Sequence, residues 1–182
     1  MTTGWPRDLV DRIDAIDQRI DSWVEPARSL QPLNRVMDMA SAAGDWSRVW
    51  HLANLALIAR RGHRRDAALF ALALGAESLM VNQGLKRFIR RPRPTTSGDE
   101  RSHVRTPSTS SFPSGHASSA AFAISLMSTL RGRSTARRLI PFGAMVAYSR
   151  IHVRLHHASD VIAGALVGIA LGRVARGLLR RG

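Results

Sequence analysis

The chain has 182 residues, 45% of them apolar and 5% aromatic, and Lys and Arg outnumber Asp and Glu by 27 to 13 for a net charge of +14. That length holds one domain with a real core and is short for two, and the charge favours anionic partners such as anionic lipid, phosphate esters or nucleic acid. Sparse aromatics and the lack of a basic-aromatic strip argue against nucleic acid, and the absence of cysteine excludes disulfides, thiolate metal sites and cysteine nucleophiles.

The N-terminus carries Asp8, Asp11 and Asp14 and lacks the apolar core of a cleaved signal peptide. Over residues 5–24, Leu9, Ile13, Ile16, Ile20 and Trp23 recur at steps of four and three, with Asp8, Asp11, Asp17 and Asp21 on other faces. This is the pattern of an amphipathic helix. Three placements are open for it: a membrane interface, a homodimer contact, or the outside of the domain as an ordinary packed helix.

After a loop around Ala43-Gly44-Asp45 come apolar stretches near 46–59, 67–85, 116–130, 139–151 and 160–176. Only the second has the length expected of a simple transmembrane helix, so a soluble helical bundle competes with a membrane one. The stretches are apolar all round and end in arginines that reach headgroups, which favours the membrane. The expected fold class is therefore all-α: a membrane-embedded bundle of about five transmembrane helices plus the N-terminal amphipathic helix. Residues 1–45 form the N-terminal region and residues 46–182 the membrane domain.

If all five stretches span, 60–66, 131–138 and the tail after 172 share one side. That side holds Arg60, Arg61, Arg64, Arg65, Arg131, Arg133, Arg137, Arg138, Arg173, Arg176, Arg180 and Arg181, which marks it as cytoplasmic. The connections 86–115 and 151–159 then face outward together with the N-terminal helix. The 86–115 connection, rich in Pro, Ser, Thr and Arg, reads as a functional or disordered loop.

Three clusters lie where the outward connections meet helices: KRFIRRPRP at 86–94, FPSGH at 112–116 and YSRIHVRLHHASD at 148–160. Lys86, Arg93 and Arg150 are fixed positive charges suited to a phosphoryl group, the arginine forks matching two oxygens at once. Ser114 and Gly115 open a helix whose backbone N–H groups and dipole favour an anion, and glycine permits close approach. His156 and Asp160, four apart, share a face if helical, so that the carboxylate can hold one ring nitrogen's proton and free the other to attack phosphorus. His116 adjoins the cradle and suits the general acid. Singly, each feature is as well explained by interface anchors, a capped turn or a helix-surface pair; their joint occurrence in order is what carries weight.

These clusters resemble the type 2 phosphatidic acid phosphatase superfamily, whose signature is Lys-x6-Arg-Pro, then Pro-Ser-Gly-His, then Ser-Arg-x5-His-x3-Asp. All three parts are matched without substitution, and the likeness spans about residues 46–176. The resemblance implies a metal-independent phosphatase without cofactor, acting on a lipid phosphate at a membrane. In it Lys86, Arg93, Arg150, Ser114 and Gly115 bind phosphate, His156 becomes the phosphohistidine, Asp160 orients it, and His116 is the acid that later activates water. His103, His152 and His157 fall outside the signature. The chain departs from the familiar six-span members by having the amphipathic helix in place of a first span.

Competing readings are a soluble acid phosphatase with the same signature, a vanadium haloperoxidase sharing the cradle, and a basic membrane protein that binds anionic lipid without catalysis. The signature reads the phosphate and not the tail, leaving phosphatidic acid, phosphatidylglycerol phosphate, polyprenyl mono- or diphosphates and prenyl-linked sugar phosphates as substrates.

Overall fold

A computed structural model describes residues 6–61, 64–95 and 99–179, with the side chains of 57–61 left aside. Trp5, Arg180 and Arg181, like the Arg60 and Arg61 side chains, lie outside the described residues. Each apolar stretch anticipated from the sequence falls on a helix, and no strand occurs among the described residues. The helices are α1 (Arg7–Val24), α2 (Gln31–Gly44), α3 (Arg48–Arg61), α4 (Arg64–Leu79), α5 (Lys86–Phe88), α6 (Gly115–Arg131), α7 (Arg133–His152) and α8 (Ala158–Leu179). A π-helical turn, Met80–Leu85, joins α4 to α5. Short 3₁₀ turns, Glu25–Ser29 and Asp45–Ser47, flank α2.

Helix α6 is the hub, packed on α8, α7 and α4. The α6–α8 contact is close because α8 presents Gly164, Gly168 and Gly172 at four-residue steps. A Cβ at Gly164 would sit 2.3 Å from the Ser114 carbonyl oxygen, and one at Gly168 would sit 2.1 Å from that of Ser118. Small residues at this spacing let two helix backbones meet, the usual solution where lipid removes the hydrophobic drive between helices. The core beside this seam is Trp50, Phe70, Leu74, Ala120, Phe122, Ala123, Leu126 and Met127. Trp50 meets Phe142 edge-on at 5.8 Å. Helix α7 runs on through Pro141.

Two segments are long and apolar enough to cross a bilayer, Arg64–Phe88 with 25 residues and Ala158–Leu179 with 22. At 1.5 Å per residue they reach roughly 37 and 33 Å, against about 30 Å of hydrocarbon. Neither is the buried core helix of a soluble bundle: Leu72, Leu79, Met80, Phe88, Ile162, Leu166, Val174 and Leu178 all point outward. At one end of the bundle Arg131 pairs with Asp66 at 3.0 Å, and Arg65, Arg133 and Arg176 line one hollow there. The connections 86–115 and 151–159 meet at the other end.

Helix α1 docks at that second end with a mixed face inward: Asp17 and Val24 are buried and Ile13, Asp14, Ile20 and Asp21 partly buried, while Leu9, Ile16 and Trp23 are 39, 58 and 71% exposed and Asp8 and Asp11 face out. The inward aspartates meet the arginines beneath the helix. Arg154 bonds Asp21 and Glu25 at 3.2 and 2.8 Å. Buried Arg28, just after α1, donates to the carbonyls of Ile151 and His152 at 3.0 and 2.8 Å and so caps the end of α7. The described parts of the 86–115 connection, residues 86–95 and 99–115, although largely irregular, are packed: Arg91, Asp99 and Ser111 are buried in them. Ser111 N–H donates to the Arg91 carbonyl at 3.0 Å, and Asp99 N–H to that of Val153 at 3.2 Å.

Candidate active site

At this end a cavity of about 500 Å³ is lined by Lys86, Gly115, His116, Arg150 and His156, with Asn82 and Gln83 of the π-turn and Asp45 from before α3. Lys86 is the single lysine of the chain. It opens α5, the last turn of the helical run begun by α4, and is buried there, as is Arg150 near the end of α7. Two buried cations facing one cavity are costly unless an anion joins them. Arg150 spends one nitrogen on the Ser41 hydroxyl, and its Nε has no partner.

His156 stands two residues before α8, in the turn after α7, and not on a shared helix face with Asp160 as its spacing suggested. Its N–H donates to the Arg150 carbonyl at 3.0 Å, which folds the turn back and ties the two site residues together. Its Nδ1 faces Asp160 Oδ2 at 3.7 Å, a charge contact longer than a hydrogen bond. Its Nε2 lies 3.3 Å from Arg93 Nη1, a nitrogen that can only donate, so Nε2 is the ring atom with the lone pair. Burial, first, and then the charges of Arg150, Arg93 and Lys86 push the His156 imidazole down to about 3 against the pull of Asp160, so the ring is neutral.

Asp160, in the first turn of α8, is fully buried and held on both oxygens. Oδ1 accepts from Arg91 Nη1 at 2.7 Å, and Oδ2 accepts from the Ser111 hydroxyl and from His157 N–H at 2.9 Å. Its carbonyl takes the Ser114 N–H at 3.0 Å, which locks the head of α6 to the head of α8. Ser114 is the N-cap residue of α6 with its hydroxyl buried and unpartnered. Arg93 is engaged by protein, donating to the carbonyls of Pro107, Thr109 and Leu155 at 3.1, 3.1 and 2.6 Å.

His116, in the first turn of α6, directs Nε2 at the Ser41 carbonyl and at Asp45 Oδ1, both 3.1 Å away. A carbonyl only accepts, so Nε2 carries the proton. Partial burial works to raise the Asp45 carboxyl, but the His116 hydrogen bond and the charges of Arg150 and Arg48 outweigh it and hold it below its usual range. The chain reaches this position through left-handed Trp46 and Ser47, at φ 54 and 56°. Of the residues anticipated from sequence, Lys86, Gly115, His116, Arg150 and His156 face the cavity, Arg93 touches His156, and Ser114 and Asp160 stand behind. Asp45, Ser41 and Arg91 were missed. His152, outside the signature, is buried at the end of α7, where its Nε2 meets Asn34 Oδ1 at 2.8 Å.

The sequence model of the PAP2 superfamily matches residues 66–181, the stretch that carries all three clusters. The chain belongs to the PAP2 superfamily. Among its relatives, undecaprenyl-diphosphatase BcrC of Bacillus subtilis (strain 168) is 31% identical over 108 residues, 59% of this chain and 55% of that protein. Decaprenylphosphoryl-5-phosphoribose phosphatase of Mycobacterium tuberculosis is 38% identical over 90 residues, 50% of this chain and 49% of the other. The chain spans about half the length of the curated relatives it matches. The same PAP2 fold is found in the crystal structure of a transmembrane PAP2 type phosphatidylglycerolphosphate phosphatase from Bacillus subtilis. The TM-score is 0.68 at 22% identity, over 90% of this chain and 86% of that one.

Proposed function

We propose that the chain is a metal-independent membrane phosphatase that cleaves a phosphate from a polyprenyl phosphate or diphosphate through a phosphohistidine at His156. The observation that carries this is the placement of His156 in the cavity that Lys86 and Arg150 line, with its Nε2 3.3 Å from Arg93 Nη1. In this reading the three cations hold the phosphoryl oxygens with the N-terminus of α6 at Ser114 and Gly115, supplying the positive charge a metal would otherwise bring. Nε2 attacks phosphorus, the bond to the departing oxygen breaks, and His116, doubly protonated in the loaded site with its Nε2–H held by Asp45, gives that oxygen the proton of Nδ1. Asp160 faces the Nδ1 side, where positive charge develops. Water then attacks the phosphohistidine, giving its proton to His116, and the P–N bond breaks to release phosphate and restore both histidines.

Residues 46–182 are then the phosphatase-like membrane domain, to which the region 1–45 lends Ser41 and Asp45. The polyprenyl preference rests on the two relatives named above and on a second groove of about 1060 Å³ beside the cavity. That groove shares Lys86 with it and adds Arg87, Arg90 and Arg93, charges suited to a further phosphate or headgroup. The exposed apolar residues of α4 and α8 support a multi-pass membrane protein. The arginines at the far end favour the cytoplasm for that end and the outer side for the site. The outward apolar line of α1 suits the interface on the site's side.

The test is phosphate release in detergent with EDTA present, from a polyprenyl phosphate, a polyprenyl diphosphate and phosphatidic acid. Release that resists EDTA and is lost in His156→Ala is expected, with a polyprenyl substrate preferred. Full activity in His156→Ala would end the catalytic assignment, and preference for phosphatidic acid would end the polyprenyl one.

A further inference from the structure

The mechanism leaves unused a buried charge cluster that joins α1 to the head of α8. Arg91 Nη1 donates to Asp160 Oδ1 at 2.7 Å and to the Ser159 hydroxyl at 2.6 Å. Its Nη2 donates to Asp14 Oδ1 and Asp17 Oδ2, both at 2.7 Å. Asp17 in turn accepts the Ser159 N–H at 2.8 Å. Asp17, Arg91 and Asp160 are 4, 5 and 0% exposed, so these three are sealed from solvent and strongly coupled, with Asp14 at the open edge of the array. None of Asp14, Asp17 or Ser159 lines the cavity.

Stability alone does not account for this arrangement. A buried ion pair is often no better than apolar packing, and here one guanidinium is divided between two carboxylates of α1 and the carboxylate that faces His156. Paired with Asp160 alone, Arg91 would cancel much of the negative charge that a cationic His156 needs beside it. The two carboxylates of α1 draw that positive charge away while Arg91 still fixes where Asp160 points.

We infer that Asp17, with Asp14, is a positioning residue of the active site, acting through Arg91 on Asp160, so that helix α1 is a working part of the catalytic apparatus. The inference rests on the proposed role of the His156–Asp160 pair. It predicts that loss of Asp17 slows the step that places charge on His156 and leaves phosphate binding alone. In Asp17→Asn of the full chain, kcat falls on the order of tenfold, as is common for groups behind a reactive side chain, with KM within about twofold of wild type. Asp11→Asn, on the exposed side of the same helix, leaves both constants unchanged.

The deciding measurement is the same substitution in an Asp160→Asn background. If Asp17 works through Asp160, the further loss disappears there; a merely structural role gives the same loss in both backgrounds. An unchanged kcat in Asp17→Asn, or equal losses in the two backgrounds, overturns the inference. Where Asp17→Asn does not fold, the half-exposed Asp14→Asn carries the same cycle with a smaller expected loss of about threefold. Asp160→Asn at the wild-type rate would instead sink the reading of the His156–Asp160 pair itself.

Discussion

A histidine serves as a nucleophile only while one ring nitrogen keeps its lone pair. His156 meets that condition by burial: its imidazole falls from the ordinary 6.5 to about 3, first through desolvation and then through the facing arginines and Lys86. The sign for stability follows. Between those values the unfolded chain takes up a proton that the folded chain refuses, so the folded state loses stability as pH drops from 6.5 towards 3. His156→Asn removes that penalty, and its melting temperature should fall less than that of wild type between pH 7 and pH 4; an equal fall in both would show that His156 is not held neutral. The signature positions were legible because their internal spacings are short. Asp45, Ser41 and Arg91 were not, because their partners lie on other helices: Ser41 and Arg150 are 109 residues apart, and Arg91 and Asp160 are 69 apart.

At the level of helices, the sequence pattern located every apolar run but did not tell which face of α1 turns inward. A stripe of Leu, Ile and Trp opposite aspartates normally packs apolar side in. Here Asp14, Asp17 and Asp21 turn inward beside Val24 while Leu9, Ile16 and Trp23 stay out, because the surface offered to α1 carries Arg28, Arg91 and Arg154. The α6–α8 seam is encoded more locally, in the glycines at 164, 168 and 172. A methyl group at Gly168 would press on backbone carbonyl and not on a yielding side chain. Gly168→Ala should therefore destabilise by about 1–3 kcal/mol. Gly177→Ala on the same helix, with open space around it, should be neutral or stabilising by up to about 1 kcal/mol. Thermal unfolding of the two variants in detergent checks the contrast, and equal stability would contradict the close packing of α8 on Ser118.

Across the whole molecule, the bundle separates its tasks by end. Arg65, Arg131, Arg133 and Arg176 gather at one end, and the cations that face the cavity gather at the other, with two apolar helical segments of spanning length between them. That polarity was readable from alternating connections and arginine counts, whereas the packing of the 86–115 connection into the site was not, since Pro- and Ser-rich composition describes an ordered strap and a disordered loop equally well. The proposed reaction turns on one covalent event. Rapid acid-free quenching of the full chain with labelled substrate, followed by mass spectrometry, should find an alkali-stable, acid-labile phosphate on His156 and none in His156→Ala. Turnover with no phosphoenzyme on His156, or with the phosphate on another residue, would contradict it.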